Sequence, residues 1–111
     1  MNFTDYQQAT ARTAIYPSNS PIEALSYVTM GLVGEAGEIA NKVKKILRDN
    51  DGVVTDGYRR AIGGEIGDVM WYLSQLATEL DYELEWLAEN NLNKLRLRAE
   101  NGTLQGSGDN R

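Results

Sequence analysis

The chain has 111 residues, of which 41% are hydrophobic and 24% charged, and it contains neither cysteine nor histidine. This length and composition predict one folded domain and exclude disulfide frameworks, cysteine or histidine catalysis, and the di-iron helical bundle, which needs histidine ligands. The net charge of −5 argues against nucleic acid as a partner, because phosphate contacts need clustered lysine and arginine.

The beginning of the chain does not look like a secretion signal, since Met1–Asp5 has neither a basic nor an apolar segment. No apolar run approaches the roughly 18 residues that a membrane span requires. We therefore expect a cytoplasmic protein with no membrane partner. Without histidine or cysteine, any metal must be bound by oxygen, which suits Mg²⁺ or, as an alternative, Mn²⁺.

Periodicity and capping signals predict four helices and almost no strand. The first helix is expected from about Asp5 to Ile15, with Thr4 and Gln7 at the spacing of a capping box. The second has the strongest start signal, with Ser20 as N-cap followed directly by proline, and its apolar period continues to Arg48.

The third predicted helix begins near Thr55 or Asp56, and its aliphatic residues recur in steps of three and four, which predicts packing along a neighbouring helix. Asp81 is the expected N-cap of the fourth helix, and Gly102 follows its predicted end, where glycine is common. The stripe of the third helix consists of Ile62, Ile66, Val69, Leu73, Leu76 and Leu80.

These elements predict an all-α fold, a four-helix bundle-like protomer built around a long central antiparallel hairpin of the second and third helices. Residues 1–102 form the expected single domain, and the Gly/Ser-rich tail 103–111 is expected to be a mobile terminus or, alternatively, an ordered lid. One chain of this size leaves apolar surface uncovered, so we expect a dimer or a dimer of dimers.

Two similar segments, Gly34–Ile39 and Gly64–Val69, lie one on each central helix and read Gly-Glu-x-Gly-acid-aliphatic. Glycine inside a helix costs about 1 kcal/mol relative to alanine, so helix stability does not explain them. Acids at positions i and i+3 project from the same helix face. The glycines are expected to let the two backbones approach or to leave room for a ligand.

The hairpin register predicts that the acids of both segments converge. With the turn centred on Asp51–Gly52, Glu35 is level with Asp68, and Glu38 is level with Glu65. Two unit charges 4 Å apart repel by about 4 kcal/mol at an effective dielectric of 20, so such a patch favours protons or cations. The alternative is an ordinary solvated helix face.

The pattern resembles that of the MazG-like nucleoside triphosphate pyrophosphohydrolases of the all-α NTP pyrophosphatase superfamily. Their Glu-x-x-Glu and Glu-x-x-Asp motifs match Glu35-x-x-Glu38 and Glu65-x-x-Asp68, and the similarity extends over about residues 20–100. Many members carry a further glutamate before the first motif acid, where this chain has Gly34, as the short single-domain members do.

The resemblance implies hydrolysis of a nucleoside triphosphate to the monophosphate and pyrophosphate, as a house-cleaning enzyme or a more specific one, in a homodimer or homotetramer. It implies Mg²⁺ bound by Glu35, Glu38, Glu65 and Asp68, with Glu35 or Glu38 as the general base. Lys94 and Arg98, at i and i+4 on the fourth helix, resemble the family's phosphate-binding pair; the alternative is a solvated basic helix end.

Three further residues are candidates for substrate contact. Lys42 and Lys45 follow the first acid pair at helical spacing and are expected to contact phosphate, or else to be solvated surface. Tyr72 shares the face of Glu65 and Asp68 and is expected to stack on a nucleobase, or else to belong to the core.

Two other functions are compatible with the sequence: a non-catalytic helical interaction module, and a nucleotide-binding sensor that retains the pocket without turnover. The preferred base and sugar stay open at this stage. Metal binding that depends on Glu38 or Glu65, and pyrophosphate release, separate the three alternatives.

Overall fold

The computed structural model describes residues 1–111 as four α-helices without a strand, which confirms the all-α prediction. The helices are α1 (Phe3–Thr10), α2 (Pro21–Asp49), α3 (Asp56–Glu79) and α4 (Leu84–Glu100), and a 3₁₀ helix, Ala11–Thr13, follows α1. No helix is both long enough and apolar enough to cross a membrane.

The long hairpin begins where the sequence predicts. The Ser20 hydroxyl accepts a hydrogen bond from the backbone N–H of Glu23, which confirms the expected N-cap of α2. The Thr55 hydroxyl accepts one from the backbone N–H of Tyr58, so α3 starts where the sequence placed it, with Thr55 as its N-cap. Asp51 and Gly52, with φ of 53° and 75°, form the turn between the helices. Helices α2 and α3 consequently run antiparallel along each other, which fixes the height of each acid.

The prediction for the first helix was wrong at both ends. Asn2, not Thr4, is the N-cap, because its side chain bonds the N–H of Asp5 while the Asp5 carboxylate accepts from the N–H of Asn2. The α-helix ends at Thr10 and tightens into the 3₁₀ turn. This earlier end leaves Thr13 at the head of the loop that approaches α3.

Asp81 was also wrongly predicted as the N-cap of α4. It has φ of 60° and closes α3, since the N–H of Tyr82 donates to the carbonyl of Ala77 at 2.8 Å. The cap of α4 comes from another helix: the Gln7 side-chain carbonyl accepts from the N–H of Leu84 at 2.8 Å, while its amide donates to the Tyr82 carbonyl. Helix α1 thus fixes the start of α4.

The end of α4 follows the sequence prediction, and the segment after it folds back. Gly102 has φ of 68°, and the N–H of Thr103 donates to the carbonyl of Arg98 at 2.8 Å, as in a glycine-terminated helix. Residues 103–111 form turns without a helix or strand. Their Asp109 side chain lies against Lys94 and Arg98 of α4.

The apolar core of the single chain is small. Its buried hydrophobic residues are Ala24, Val28, Ile46 and Ala77. Much of the stripe predicted to pack is exposed, with Ile66 at 55%, Leu73 at 42% and Leu80 at 49%. Ile62, Val69 and Leu76 of the same stripe are half-buried, whereas the buried residues of α3 are Ser74, Gln75 and Ala77, so the period located only part of the packed face.

A buried polar layer joins α1 to α3. The Gln75 amide donates to the Thr10 hydroxyl at 2.6 Å, and the Thr10 and Ser74 hydroxyls are 3.1 Å apart. The Tyr16 hydroxyl donates to the Gln75 side-chain carbonyl at 3.2 Å. Because such buried groups need partners, this network fixes the loop between α1 and α2 over α3.

Candidate active site

Three of the four predicted acids converge on one side of the hairpin. Carboxylate oxygens of Glu35 on α2 and of Glu65 and Asp68 on α3 all lie within 4.8 Å of one another. Glu35 and Glu65 are half-buried, and Asp68 is exposed. We refer to these three residues as the acid cluster.

Glu38 lies outside the acid cluster, although it is close enough for its charge to help raise the pKa of Glu35. It is exposed one turn further along α2. The expected level pairing of Glu38 with Glu65 is replaced by a different one: Glu65 approaches Glu35 and also forms an ion pair with Lys42, whose Nζ lies 3.1 Å from Oε1. Glu65 therefore contacts both a carboxyl and an ammonium group.

The charges within the acid cluster are unequal. A hydrogen bond with the Glu65 carboxyl, followed by burial and by the charges of Asp68, Glu65 and Glu38, raises the pKa of Glu35. The hydrogen bond from Lys42, followed by that with Glu35, lowers the pKa of Glu65. Glu35 therefore bears the repulsion in the cluster, whereas Glu65 has an internal counter-ion.

The donor set fits a hard divalent cation. It consists of carboxylate oxygens from two helices, with no nitrogen or sulfur ligand, and such sets suit Mg²⁺ and Mn²⁺. The hydrogen bond with Glu65 and burial contribute most to the raised pKa of Glu35, and the charges of Asp68, Glu65 and Glu38 add a repulsion that a cation between the carboxylates would remove.

A cavity of about 360 Å³ opens beside the acid cluster. Glu35 and Asp68 form its acidic side. The remaining lining residues are mostly aromatic: Thr13, Trp71 and Tyr72. Tyr72 lines this cavity together with both acids, so an aromatic surface adjoins the negative charge.

A second cavity, of about 350 Å³, adjoins the first, since Thr13, Trp71 and Tyr72 line both. Its aromatic lining is a connected set: Tyr16 stacks on Tyr27 with ring centroids 5.5 Å apart, and Trp71 meets Tyr72 edge-on at 5.1 Å. The remaining lining residues are Ile15 and Pro17. We call this second space the aromatic chamber.

The loop after α1 holds the shared wall. The indole N–H of Trp71 donates to the Thr13 hydroxyl at 2.9 Å, and the Tyr16 hydroxyl donates to Gln75 and to Glu79. Burial, followed by the hydrogen bond and charge of Glu79, raises the pKa of Tyr16. These contacts order a loop that has no helix or strand of its own beyond the 3₁₀ turn.

The four predicted cations lie in three different settings. Lys42 is at the acid cluster, paired with Glu65. Lys45 is exposed on α2 and lines neither cavity. Lys94 and the buried Arg98 both bind Asp109 of the C-terminal tail, at 2.8 Å and 3.2 Å to the same carboxylate oxygen, and not a residue of the acid cluster.

Sequence reasoning missed three residues around the site. Thr13 lies in the 3₁₀ turn after the true end of α1, whereas the sequence predicted a helix as far as Ile15 and so placed Thr13 inside it. Tyr27 reads as an ordinary helix position, and only the tertiary stack with Tyr16 reveals it. Tyr6 of α1 faces the cluster closely enough that burial, followed by the charge of Asp68, raises its pKa.

Comparisons with known proteins agree with this geometry. Residues 24–103 match the family model described as the MazG nucleotide pyrophosphohydrolase domain. The chain is 60% identical over 114 residues to the Gene 37 protein of Mycobacterium phage L5, with 100% of both chains covered. No solved structure matches the chain.

Proposed function

The chain belongs to the MazG nucleotide pyrophosphohydrolase family, and from this premise we propose that it hydrolyses nucleoside or deoxynucleoside triphosphates to the monophosphate and pyrophosphate with Mg²⁺, or Mn²⁺ in its place. The observation that carries the proposal is the acid cluster beside an aromatic wall. A triphosphate and a base need these two surfaces next to each other.

Glu35, Glu65 and Asp68 would hold the cation, with Glu38 available as a fourth ligand from the next turn. When bound, the cation supplies charge neutralisation for the triphosphate and a lowered pKa for the attacking water. Lys42 already offsets the charge of Glu65, so the cluster presents less than its full negative charge to the substrate.

In the proposed reaction the water oxygen forms a bond to the α-phosphorus, and the bond from that phosphorus to the bridging oxygen of the β-phosphate breaks. Pyrophosphate leaves with the bridging oxygen, and a carboxylate accepts the proton of the water. Glu35 and Glu38 are the two candidates for this base. Neither forms an ion pair; we favour Glu38 because it lies outside the acid cluster, whereas Glu35 is one of the three carboxylates that would hold the cation.

Substrate recognition is assigned to the aromatic wall and to the nearby cations. Tyr72 would stack on the base, and Lys42 and Lys45 would contact the phosphates as the triphosphate extends along α2. Lys94 and Arg98 are proposed as a further phosphate contact, for which Asp109 must exchange with the phosphate.

The proposal extends to assembly and role. An exposed apolar groove between α3 and α4 supports a homodimer or homotetramer, since nine of its ten lining residues are hydrophobic. A cytoplasmic house-cleaning role against unwanted nucleotides, without a nucleic-acid partner, is consistent with the acidic chain. We propose that residues 1–102 form the catalytic domain and that residues 103–111 are a C-terminal tail outside it.

The test is pyrophosphate release from a panel of nucleoside and deoxynucleoside triphosphates with Mg²⁺. We expect release with the native chain and a loss of at least roughly a hundredfold with Glu38→Gln, typical of a removed general base. The matched control is Glu89→Gln, an exposed glutamate on α4.

Release of inorganic phosphate in place of pyrophosphate would move the cleaved bond and contradict the proposal. Metal and nucleotide binding without any release would instead identify a sensor. Absence of metal binding would show that the acids form an ordinary solvated helix face and would support an interaction module.

A further inference from the structure

Gly31 is the one glycine within α2 and α3 whose missing side chain makes room for another residue. A Cβ atom built there would lie 2.7 Å from Cδ1 of Tyr72 and closer still to Cε1 and Cζ. The motif glycines behave differently: a Cβ at Gly34 or Gly64 would meet nothing within 4 Å. The close approach between α2 and α3 therefore occurs at Gly31, one turn before Glu35, where the Tyr72 ring packs against the α2 backbone.

The ring of Tyr72 is enclosed on two sides by this arrangement. The α2 backbone at Gly31 supports one side, and the edge-to-face contact with Trp71, at 5.1 Å between centroids, limits another. Tyr72 also lies at the junction of the acid-lined cavity and the aromatic chamber, since it lines both. A displaced ring moves into that junction.

We propose that Gly31 is a positioning residue for substrate binding: by leaving room for the Tyr72 ring against α2, it keeps the passage between the acid cluster and the aromatic chamber open for the base of a nucleotide. This inference rests on the proposed function. The polyphosphate then lies at the carboxylates while the base enters the aromatic chamber, so one ligand uses both cavities.

A methyl group at position 31 tests the idea without disturbing the helix. Alanine is the better helix former, so Gly31→Ala should not unfold α2. The backbone there cannot easily retreat, because Ala24 and Val28 on the preceding turns are buried. The ring must therefore move, and it moves away from α2.

The experiment measures kcat and KM for pyrophosphate release, together with calorimetric affinity for a non-hydrolysable triphosphate in the presence of Mg²⁺. For Gly31→Ala we expect KM and the dissociation constant to rise roughly tenfold with kcat nearly unchanged, because the base is remote from the broken bond. The control Gly57→Ala, where the Cβ would be 3.7 Å from the Thr55 hydroxyl, should leave both constants unchanged.

Two further variants separate positioning from a general structural effect. In a Tyr72→Ala background no ring remains to be displaced, so adding Gly31→Ala should change KM less than about twofold. Fluorine NMR of fluorotryptophan-labelled protein should show the Trp71 signal shifted by Gly31→Ala and the distant Trp86 signal unmoved, since only Trp71 contacts Tyr72.

An equal KM rise in both backgrounds, a fall in kcat alone, or unchanged affinity in Gly31→Ala would overturn the role of Gly31 while leaving the proposed function intact. If the native chain neither binds nor cleaves any nucleotide, the proposed function fails, and this role fails with it.

Discussion

Glu35 lies beside two other carboxylates, and its charged form costs the folded chain stability. Its pKa is raised in the fold, so the folded state holds that proton more tightly than the unfolded state, and stability is gained as the pH falls through the raised pKa. At neutral pH the ionised group is therefore a net cost. A ligand site commonly keeps such a cost because the ligand removes it.

We predict that Glu35→Gln raises the melting temperature of the metal-free protein by about 4 °C, since it removes one charge from the cluster. Excess Mg²⁺ should then stabilise the native chain but not the variant. Thermal unfolding followed by circular dichroism, with and without Mg²⁺, checks both effects, and Glu89→Gln serves as the control. A native chain that Mg²⁺ leaves unchanged would contradict the prediction.

At the residue scale the sequence predicted the acids but not their arrangement. The hairpin register correctly predicted that Glu35 and Asp68 lie together. It failed for Glu38 because the register gives the height of a residue along the helix but not the direction in which its side chain points. The ion pair between Lys42 and Glu65 depends on rotamers of two flexible side chains, which periodicity does not encode. The motif predicted which helix face carries the acids, but it did not predict that Glu65 pairs with Lys42.

At the scale of the elements, the start of α4 depends on α1. Glu83 occupies the N-cap position without a side-chain hydrogen bond to the helix, and the carbonyl of Gln7 accepts from the N–H of Leu84 instead. The other end of the Gln7 amide donates to the Thr78 hydroxyl and to the Tyr82 carbonyl. One side chain therefore joins three helices.

Gln7→Ala should lower the free energy of unfolding by about 1 to 2 kcal/mol, because it removes the cap of α4 and two further hydrogen bonds. Urea unfolding measures the effect. The neighbouring Gln8→Ala provides the comparison, since Gln8 is exposed on the same helix. Equal losses in the two variants would show that the bridge contributes nothing specific.

Docking of the tail on α4 should depend on pH. Lys94, and to a lesser degree Arg98, lowers the pKa of Asp109, so the contact contributes stability above the ordinary carboxyl pKa and loses it as the pH falls through the lowered value. Amide NMR signals of Gly106 and Gly108 should report the release at acid pH. In Asp109→Asn the same signals should indicate a weakened contact at every pH.

Helix positions were predictable here where the capping partner is local. Ser20 and Thr55 accept from the N–H three residues ahead; the sequence identified Ser20 as a cap and placed the start of α3 near Thr55. The cap of α4 lies 77 positions away at Gln7, and no local pattern reveals a partner at that distance. Asp81 shows that a local signal can also mislead. Aspartate is common at N-caps, but it also tolerates the positive φ found just after a helix, and here it follows the end of α3.

At the scale of the whole molecule, the groove between α3 and α4 leaves an apolar surface exposed in the single chain. Leucines and aromatic residues from α1, α3 and α4 line it, and one of them, Leu80, is 49% exposed. The buried apolar residues number only four, which is few for a chain of 111. A second copy would cover this surface.

We predict a dimer or larger assembly at micromolar concentration, weakened by Leu80→Glu. Burial of a leucine is worth roughly 2 kcal/mol, so the dimer Kd should rise by roughly 30-fold or more. Light scattering after size-exclusion chromatography measures the assembly, and Leu104→Glu, in the exposed tail, is the matched control. A monomeric native chain would contradict this prediction.

The helical hairpin also governs how the site comes into being. Glu35, Glu65 and Asp68 lie on two helices joined only by residues 50–55, and helical pairings of such short sequence separation form early and fast. We therefore expect the three carboxylates to meet when α2 first pairs with α3, before α1 delivers Thr13 and the loop behind it. Their repulsion opposes this pairing, and a divalent cation would relieve it during folding. On the proposed function, the ion that serves the reaction also speeds refolding.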